Sequence, residues 1–176
     1  MRTYTRARIP GACYFFTVNL AQRGTNSLLA QHVDRLREAF RLTHRDHPFM
    51  MDAVVVLPNH LHCLWTLPPD DADFSMRWRL IKARFSRFVA TGERISVSRQ
   101  RKGERGIWQR RFREHVIRDD LDYQRHMDYI HYNPVKHGYV EHARDWPHSS
   151  FHRCVKRGLY PEDWGASALI TELDYE

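Results

Sequence analysis

The sequence predicts an α+β fold: an antiparallel sheet with helices packed on it, continued by a C-terminal helical extension. Three observations carry this. Runs rich in aromatic and β-branched residues, several of them bounded by Pro, Gly or Asn, recur along the chain as strands do. Between them lie segments with apolar residues at helical spacing and arginines on the opposite side. Two of the strand-like runs are parted only by Pro58-Asn59, too short a link for anything but a hairpin.

Ala12 to Leu20 (A-C-Y-F-F-T-V-N-L) lies between Pro10-Gly11 and Arg23-Gly24 and reads as the first strand. Val33 to Thr43 places Val33, Leu36, Ala39, Phe40 and Thr43 on one helical stripe. Met50 to Leu57 is a continuous apolar run, and His60 to Leu67 alternates, giving the hairpin's two strands. Asp70, Asp71 and Asp73 precede a second helix from Phe74 to Ala90, acidic residues being favourable at a helix start. Thr91 to Gly106 is polar and glycine-punctuated and reads as a loop. Trp108 to Ile117 is expected to be the fourth strand. Asp119-Asp120 opens a third helix, expected to stop near Asn133 because Pro134 disfavours continuation. A short helix reaching Lys156 and an irregular end complete the chain. The order strand, helix, strand, strand, helix, strand is the split βαβ arrangement of ferredoxin-like folds, whose first and third strands are central.

His60 and His62, one residue apart in V-V-V-L-P-N-H-L-H-C-L-W, would point their imidazoles to one face of a central strand. Leu61, Cys63 and Trp65 would point to the other face, under the helices. Two neutral imidazoles on a rigid strand make half of a divalent-metal site, although ordinary half-buried histidines show the same spacing. In the third helix Tyr129 and Asn133 are four residues apart and share a face beside the apolar stripe of Tyr123, Met127 and Ile130.

At 176 residues the chain suits one domain with a true core, and its 42% apolar and 12% aromatic content excludes extensive disorder. The net charge is +7, and it is concentrated. From Arg77 to Arg113 thirteen basic residues face two acidic ones, which leaves the remainder of the chain at −4. A swing of that size favours contact with a polyanion. The candidate phosphate-binding residues are Arg77, Lys82, Arg84 and Arg87 of the second helix, Arg110, Arg111 and Arg113 beside the fourth strand, and Lys136. Trp78, Trp108 and Phe112 are expected in the core rather than against bases. The three cysteines are far apart and form no C-x-x-C pair, so neither a disulfide framework nor a thiolate zinc site is suggested. With no apolar h-region and no membrane-spanning stretch, a soluble cytoplasmic protein is expected.

Three blocks in order carry a resemblance: P-N-H-L-H-C-L-W (Pro58 to Trp65), W-Q-R-R-F-R-E-H-V-I-R-D (Trp108 to Asp119) and D-Y-I-H-Y-N-P-V-K-H-G (Asp128 to Gly138). Together they resemble the REP-associated tyrosine transposases, single-tyrosine members of the HUH endonuclease superfamily. The resemblance implies a catalytic domain over residues 1–140, with 141–176 as an extension of the same domain. It makes His60 and His62 metal ligands, Tyr129 the nucleophile and Asn133 a third metal ligand. It also implies a single-stranded DNA substrate, folded as a REP-type hairpin and flanked by a short tetranucleotide.

The residue types suit that chemistry. A phenol of pKa near 10 attacking an anion needs the phosphate charge neutralised and the phenolate favoured, which a divalent metal achieves. The implied cofactor is Mg²⁺ or Mn²⁺, and imidazole ligands favour manganese. Attack leaves a 5′-phosphotyrosine and a free 3′-hydroxyl, so the step is reversible at another junction and the outcome is strand transfer. No small-molecule cofactor and no membrane partner are expected, and a monomer is favoured over a dimer. Two other readings stay open at this point. One is a non-catalytic nucleic-acid-binding module of the same topology; the other is a small metallohydrolase using His60, His62 and a further histidine.

Overall fold

The protein is described by a computed structural model that covers residues 6–24 and 26–165. The outermost part of the irregular end expected after Lys156 lies outside the described residues, as do positions 1–5. Four strands form one antiparallel sheet: β1 (Cys13–Asn19), β2 (Met50–Val56), β3 (His60–Thr66) and β4 (Arg113–Val116), in the spatial order β2-β3-β1-β4. The helices are α1 (Leu28–Gln31), α2 (Val33–Asp46), α3 (Phe74–Phe88), α4 (Val97–Gln100), α5 (Asp120–Lys136) and α6 (Phe151–Lys156). The first and third strands are central, as the ferredoxin-like order requires.

Strand alternation splits the core in two. Tyr14, Phe16 and Val18 of β1 and Leu61, Cys63 and Trp65 of β3 point to one face, where α2 and α3 bury them with Leu36, Trp78, Ile81 and Phe85. Trp65 stacks on Trp78 with ring centroids 4.5 Å apart. Phe15 and Leu64 point the other way, into a second cluster with Met127, Tyr129 and Ile130 of α5 and Phe151 of α6. The sheet is therefore covered on both sides, and every residue of β3 except Thr66 is buried. Such a strand holds its side chains in fixed positions.

Two helix starts follow their acidic signals. Asp73 caps α3 by accepting from the Met76 N–H, and Asp119 caps α5 by accepting from Asp122 N–H. The end of α5 departs from expectation: the helix runs through Pro134 to Lys136. Proline removes one N–H, but it does so in the last turn, and the His137 N–H still reaches the Asn133 carbonyl at 3.1 Å. The helix stops at Gly138 instead, whose φ of 70° favours glycine. The fourth strand is also shorter than expected. Trp108 makes only an isolated bridge to Leu20, because its indole turns into the core against Phe85 and Lys82 Nζ takes the Gln109 carbonyl. Within the expected loop, Val97–Gln100 forms the single-turn α4.

The outer edge of β2 is closed by the chain's later part. Val55 bridges Ser149, Val56 N–H donates to the His148 carbonyl, Ser150 N–H donates to the Val54 carbonyl, and the Ser150 hydroxyl accepts from Val54 N–H. Arg153 donates to the carbonyls of Met51 and Asp52, and the Trp146 indole to that of Val56. No helix among the described residues is long and apolar enough to cross a membrane.

Candidate active site

His60 and His62 project from β3 on the α5 side of the sheet, with ring centroids 5.0 Å apart and 1% and 0% of their surface exposed. Each ring is oriented by a neighbour. His62 Nδ1 is hydrogen-bonded to Thr17 Oγ1 at 2.9 Å, Thr17 being its directly opposed residue on β1. His60 Nδ1 donates to Asn59 Oδ1 at 2.6 Å, and Asn59 in turn donates to the Arg23 carbonyl. With its Nδ1 donating, His60 carries the lone pair for a ligand on Nε2, and the bond to Thr17 fixes the orientation of the His62 ring. Burial, helped by the charges of His60, His137, Lys136 and Arg23, pushes the His62 pKa well below its ordinary value. The ring is thus neutral near pH 7, the form that binds metal.

Helix α5 delivers the other residues to this face. The Tyr129 ring lies 5.3 Å from His62 and 6.0 Å from Phe15, and Lys136 Nζ stands 5.0 Å from the Tyr129 ring centroid. Asn133 is one turn beyond Tyr129 and fully buried. One turn further, His137 brings its ring to 5.3 Å from His60. The other two tyrosines of α5 lie elsewhere. Tyr123 donates to Asp52, and Tyr132 faces Trp164.

The donor set fits a divalent ion. Nε2 of His62, both amide atoms of Asn133 and Oδ1 of Asn19, which pairs with His60 across the ladder, are buried and have no hydrogen-bond partner among the described residues. Buried polar groups left unpaired are costly, and these belong to β1, β3 and α5, the elements that carry Thr17, the histidine pair and Tyr129. A nitrogen lone pair and amide oxygens are suitable ligands for manganese or magnesium.

The expected phosphate contacts divide sharply. Arg77 is 1% exposed and donates to the carbonyls of His47, Pro48 and Asp73 and to Asp71, so it braces α3 and is not a DNA contact. The charge count from Arg77 to Arg113 placed it among the phosphate contacts, but its position faces inward. Lys82 donates to the Gln109 carbonyl, and Arg84 to Thr43 and Asp46, on the sheet face opposite the histidines. Arg87 is exposed on that same helix. Arg110, Arg111 and Arg113 are exposed, and Arg113 pairs in register with Thr17, the residue that holds His62. Arg110 is engaged by Glu104 and Ser98. Trp78 and Trp108 are buried in the core and Phe112 packs against it, as expected.

Sequence reasoning missed Thr17 and Asn59. Thr17 and Asn59 had signals, since one opposes the histidine strand and the other adjoins His60, but choosing them requires the register.

No protein-family model matches the chain. A REP-associated tyrosine transposase of Escherichia coli K12 is 49% identical over 164 residues, covering 93% of this chain and 91% of the relative. The chain belongs to the REP-associated tyrosine transposases. A Haemophilus influenzae relative bearing the same family name is 47% identical over 168 residues, 95% of each chain. Among solved structures, a REP-associated tyrosine transposase bound to a REP hairpin superposes with a TM-score of 0.82 at 48% identity, covering 95% of this chain and 93% of that one. The fold of this family member is therefore that of its hairpin-bound relative.

Proposed function

We propose that the chain is a metal-dependent endonuclease and strand transferase for single-stranded DNA, which cleaves beside REP-type hairpins through a 5′-phosphotyrosine link. The observation that carries this is the convergence of Tyr129 on His62, with Asn133 one helical turn away and its amide unpaired. A relative at 48% identity holds a REP hairpin, which supports the substrate class.

In the proposed reaction the Tyr129 oxygen, having lost its proton, forms a bond to the scissile phosphorus. The bond from phosphorus to the 3′ oxygen breaks, and that oxygen takes up a proton to become the free 3′-hydroxyl. Because the phosphotyrosine keeps the energy of the broken ester, a second 3′-hydroxyl can reverse the step at another junction. His60, His62 and Asn133 would hold Mg²⁺ or Mn²⁺, which when bound neutralises the phosphate and orients it for in-line attack. Lys136, close to the Tyr129 ring, favours the phenolate and contacts the phosphate. Arg110, Arg111 and Arg113 follow the hairpin backbone, joined by Arg87 where the duplex wraps round the sheet.

One chain supplies the histidine pair, the tyrosine and the amide, so a monomer suffices. Residues 1–140 form the catalytic unit; residues 141–176 are read as its extension, consistent with the sealing of β2 by Ser149 and Ser150.

The experiment is incubation with hairpin oligonucleotides carrying single-stranded flanks, with Mg²⁺, Mn²⁺ or EDTA, followed by denaturing electrophoresis and peptide mapping. A metal-dependent adduct on Tyr129 is expected. Binding without an adduct in either metal would leave a non-catalytic binding module, and free 5′-phosphate ends with no adduct would point to a hydrolase using His137 beside His60.

A further inference from the structure

Among the described residues a second group of metal-ligating side chains lies away from the histidine pair. His115 comes from β4, whereas Asp122 and His126 are four residues apart on one face of α5. Their ligand atoms all lie within 4.8 Å of one another. His115 Nε2 is 2.7 Å from Asp122 Oδ2, and His126 Nδ1 is 3.2 Å from Asp122 Oδ1. Atoms that share a zinc ion at bonds of about 2.0–2.2 Å stand roughly 3–3.5 Å apart. The carboxylate-to-imidazole spacings are therefore near what an ion needs, and side-chain rotation closes the remaining one.

The surroundings suit a site open on one side. His126 is 1% exposed and Asp122 7%, while His115 is half-exposed. The Arg118 backbone N–H donates to Asp122 Oδ2 at 3.0 Å, which fixes the carboxylate's direction as outer-shell donors do around metal ligands. Phe15 separates this cluster from the histidine pair: its ring is 4.6 Å from His126 on one side and 5.5 Å from His62 on the other. None of the three residues is used in the cleavage reaction.

We propose that His115, Asp122 and His126 form a second divalent-metal site, of the two-histidine, one-carboxylate type that zinc takes, fastening β4 to the start of the helix that carries Tyr129. On binding, the His115–Asp122 hydrogen bond and the bond from His126 Nδ1 to the Asp122 carbonyl (2.8 Å) give way to metal–ligand bonds. Each imidazole then carries its proton on the other nitrogen, and the fourth position is left to solvent beside His115. Four residues of strand are a short anchor for β4, and an ion tying it to the nucleophile helix would stiffen both.

The alternative is a hydrogen-bonded brace that needs no metal, and Asp122→Asn separates the two. The amide keeps an oxygen for the Arg118 N–H and for His115 but loses the charge that an ion requires. Zinc uptake by the full-length protein is measured by equilibrium dialysis, with melting temperature followed in parallel. Wild type is expected to take up two equivalents and His60→Ala/His62→Ala one. Asp122→Asn or His115→Gln in that double variant should weaken the remaining site at least tenfold and abolish the rise in melting temperature on adding zinc. His115, being half-exposed, tolerates replacement should the Asp122→Asn protein fail to fold. The proposal is overturned if the double variant takes up no zinc, or if both ligand substitutions leave its zinc affinity unchanged. These outcomes do not depend on whether Tyr129 forms an adduct.

Discussion

Thr17 Oγ1 lies 2.9 Å from Nδ1 of His62, its opposed residue on the neighbouring central strand. A strand-to-strand hydrogen bond thereby orients the ring proposed above as a metal ligand. Thr17→Val keeps the shape and removes the partner. Manganese affinity is expected to fall about 10–100-fold, with little change in hairpin binding. Isothermal titration of manganese into the folded variant checks this, and unchanged affinity would remove Thr17 from the site.

Tyr129→Phe removes one hydroxyl from a ring packed against Phe15 and His62 and leaves that packing intact. Covalent adduct should vanish, hairpin affinity should stay within a few-fold, and the melting temperature should hardly move. An adduct that persisted in Tyr129→Phe would assign the nucleophile to another residue.

Acid should destabilise the metal-free protein through its buried histidines. Burial, with the Arg153 charge, pushes His131 down to about 3, and His62 is likewise well below its usual range. Above pH 6.5 neither the folded nor the unfolded chain protonates these rings, so they contribute nothing to the pH dependence. Below it the unfolded chain takes up protons that the folded one refuses, and stability falls until the folded pKa is reached. For His131 the slope is at most about 1.4 kcal/mol per pH unit between roughly pH 6.5 and 3. Urea midpoints measured with EDTA from pH 7 to 4 should drop, and His131→Gln should make the drop shallower.

An exposed arginine and a buried one should behave oppositely. Arg113→Ala, at an exposed position opposite Thr17, should weaken hairpin binding about equally across sequences and lower the salt slope by about 1. Arg77→Ala should cost about 3 kcal/mol or more in stability, because Asp71 and three carbonyls lose their donor. Filter binding over a salt series and chemical denaturation separate the two effects.

Much of this fold is legible in the residue pattern, for identifiable reasons. The hairpin at Pro58-Asn59, the capping aspartates and the alternation of His60 to Trp65 are local signals, and each element they mark is present. The extent of α5 and of β4 was not legible. Pro134 is compatible with a last helical turn, and Trp108 leaves the strand because the core under α3 has room for an indole, facts that depend on tertiary contacts. At the site, the pairing of Tyr129 with His62 follows once a helix is laid on the sheet. The inward turn of Arg77 and the support from Thr17 require the register itself. A charge count along the chain cannot tell an arginine that braces a helix from one that meets a phosphate.

The sealed rim of β2 has a bearing on solubility and assembly. An open strand edge is a template on which another chain can extend the sheet, and the backbone groups of Val54 to Val56 are already engaged by His148, Ser150 and Trp146. Copies of this protein therefore cannot join edge to edge there. A chain cut back before residue 145 would bare that template and be prone to aggregate, whatever the condition of its histidines and tyrosine.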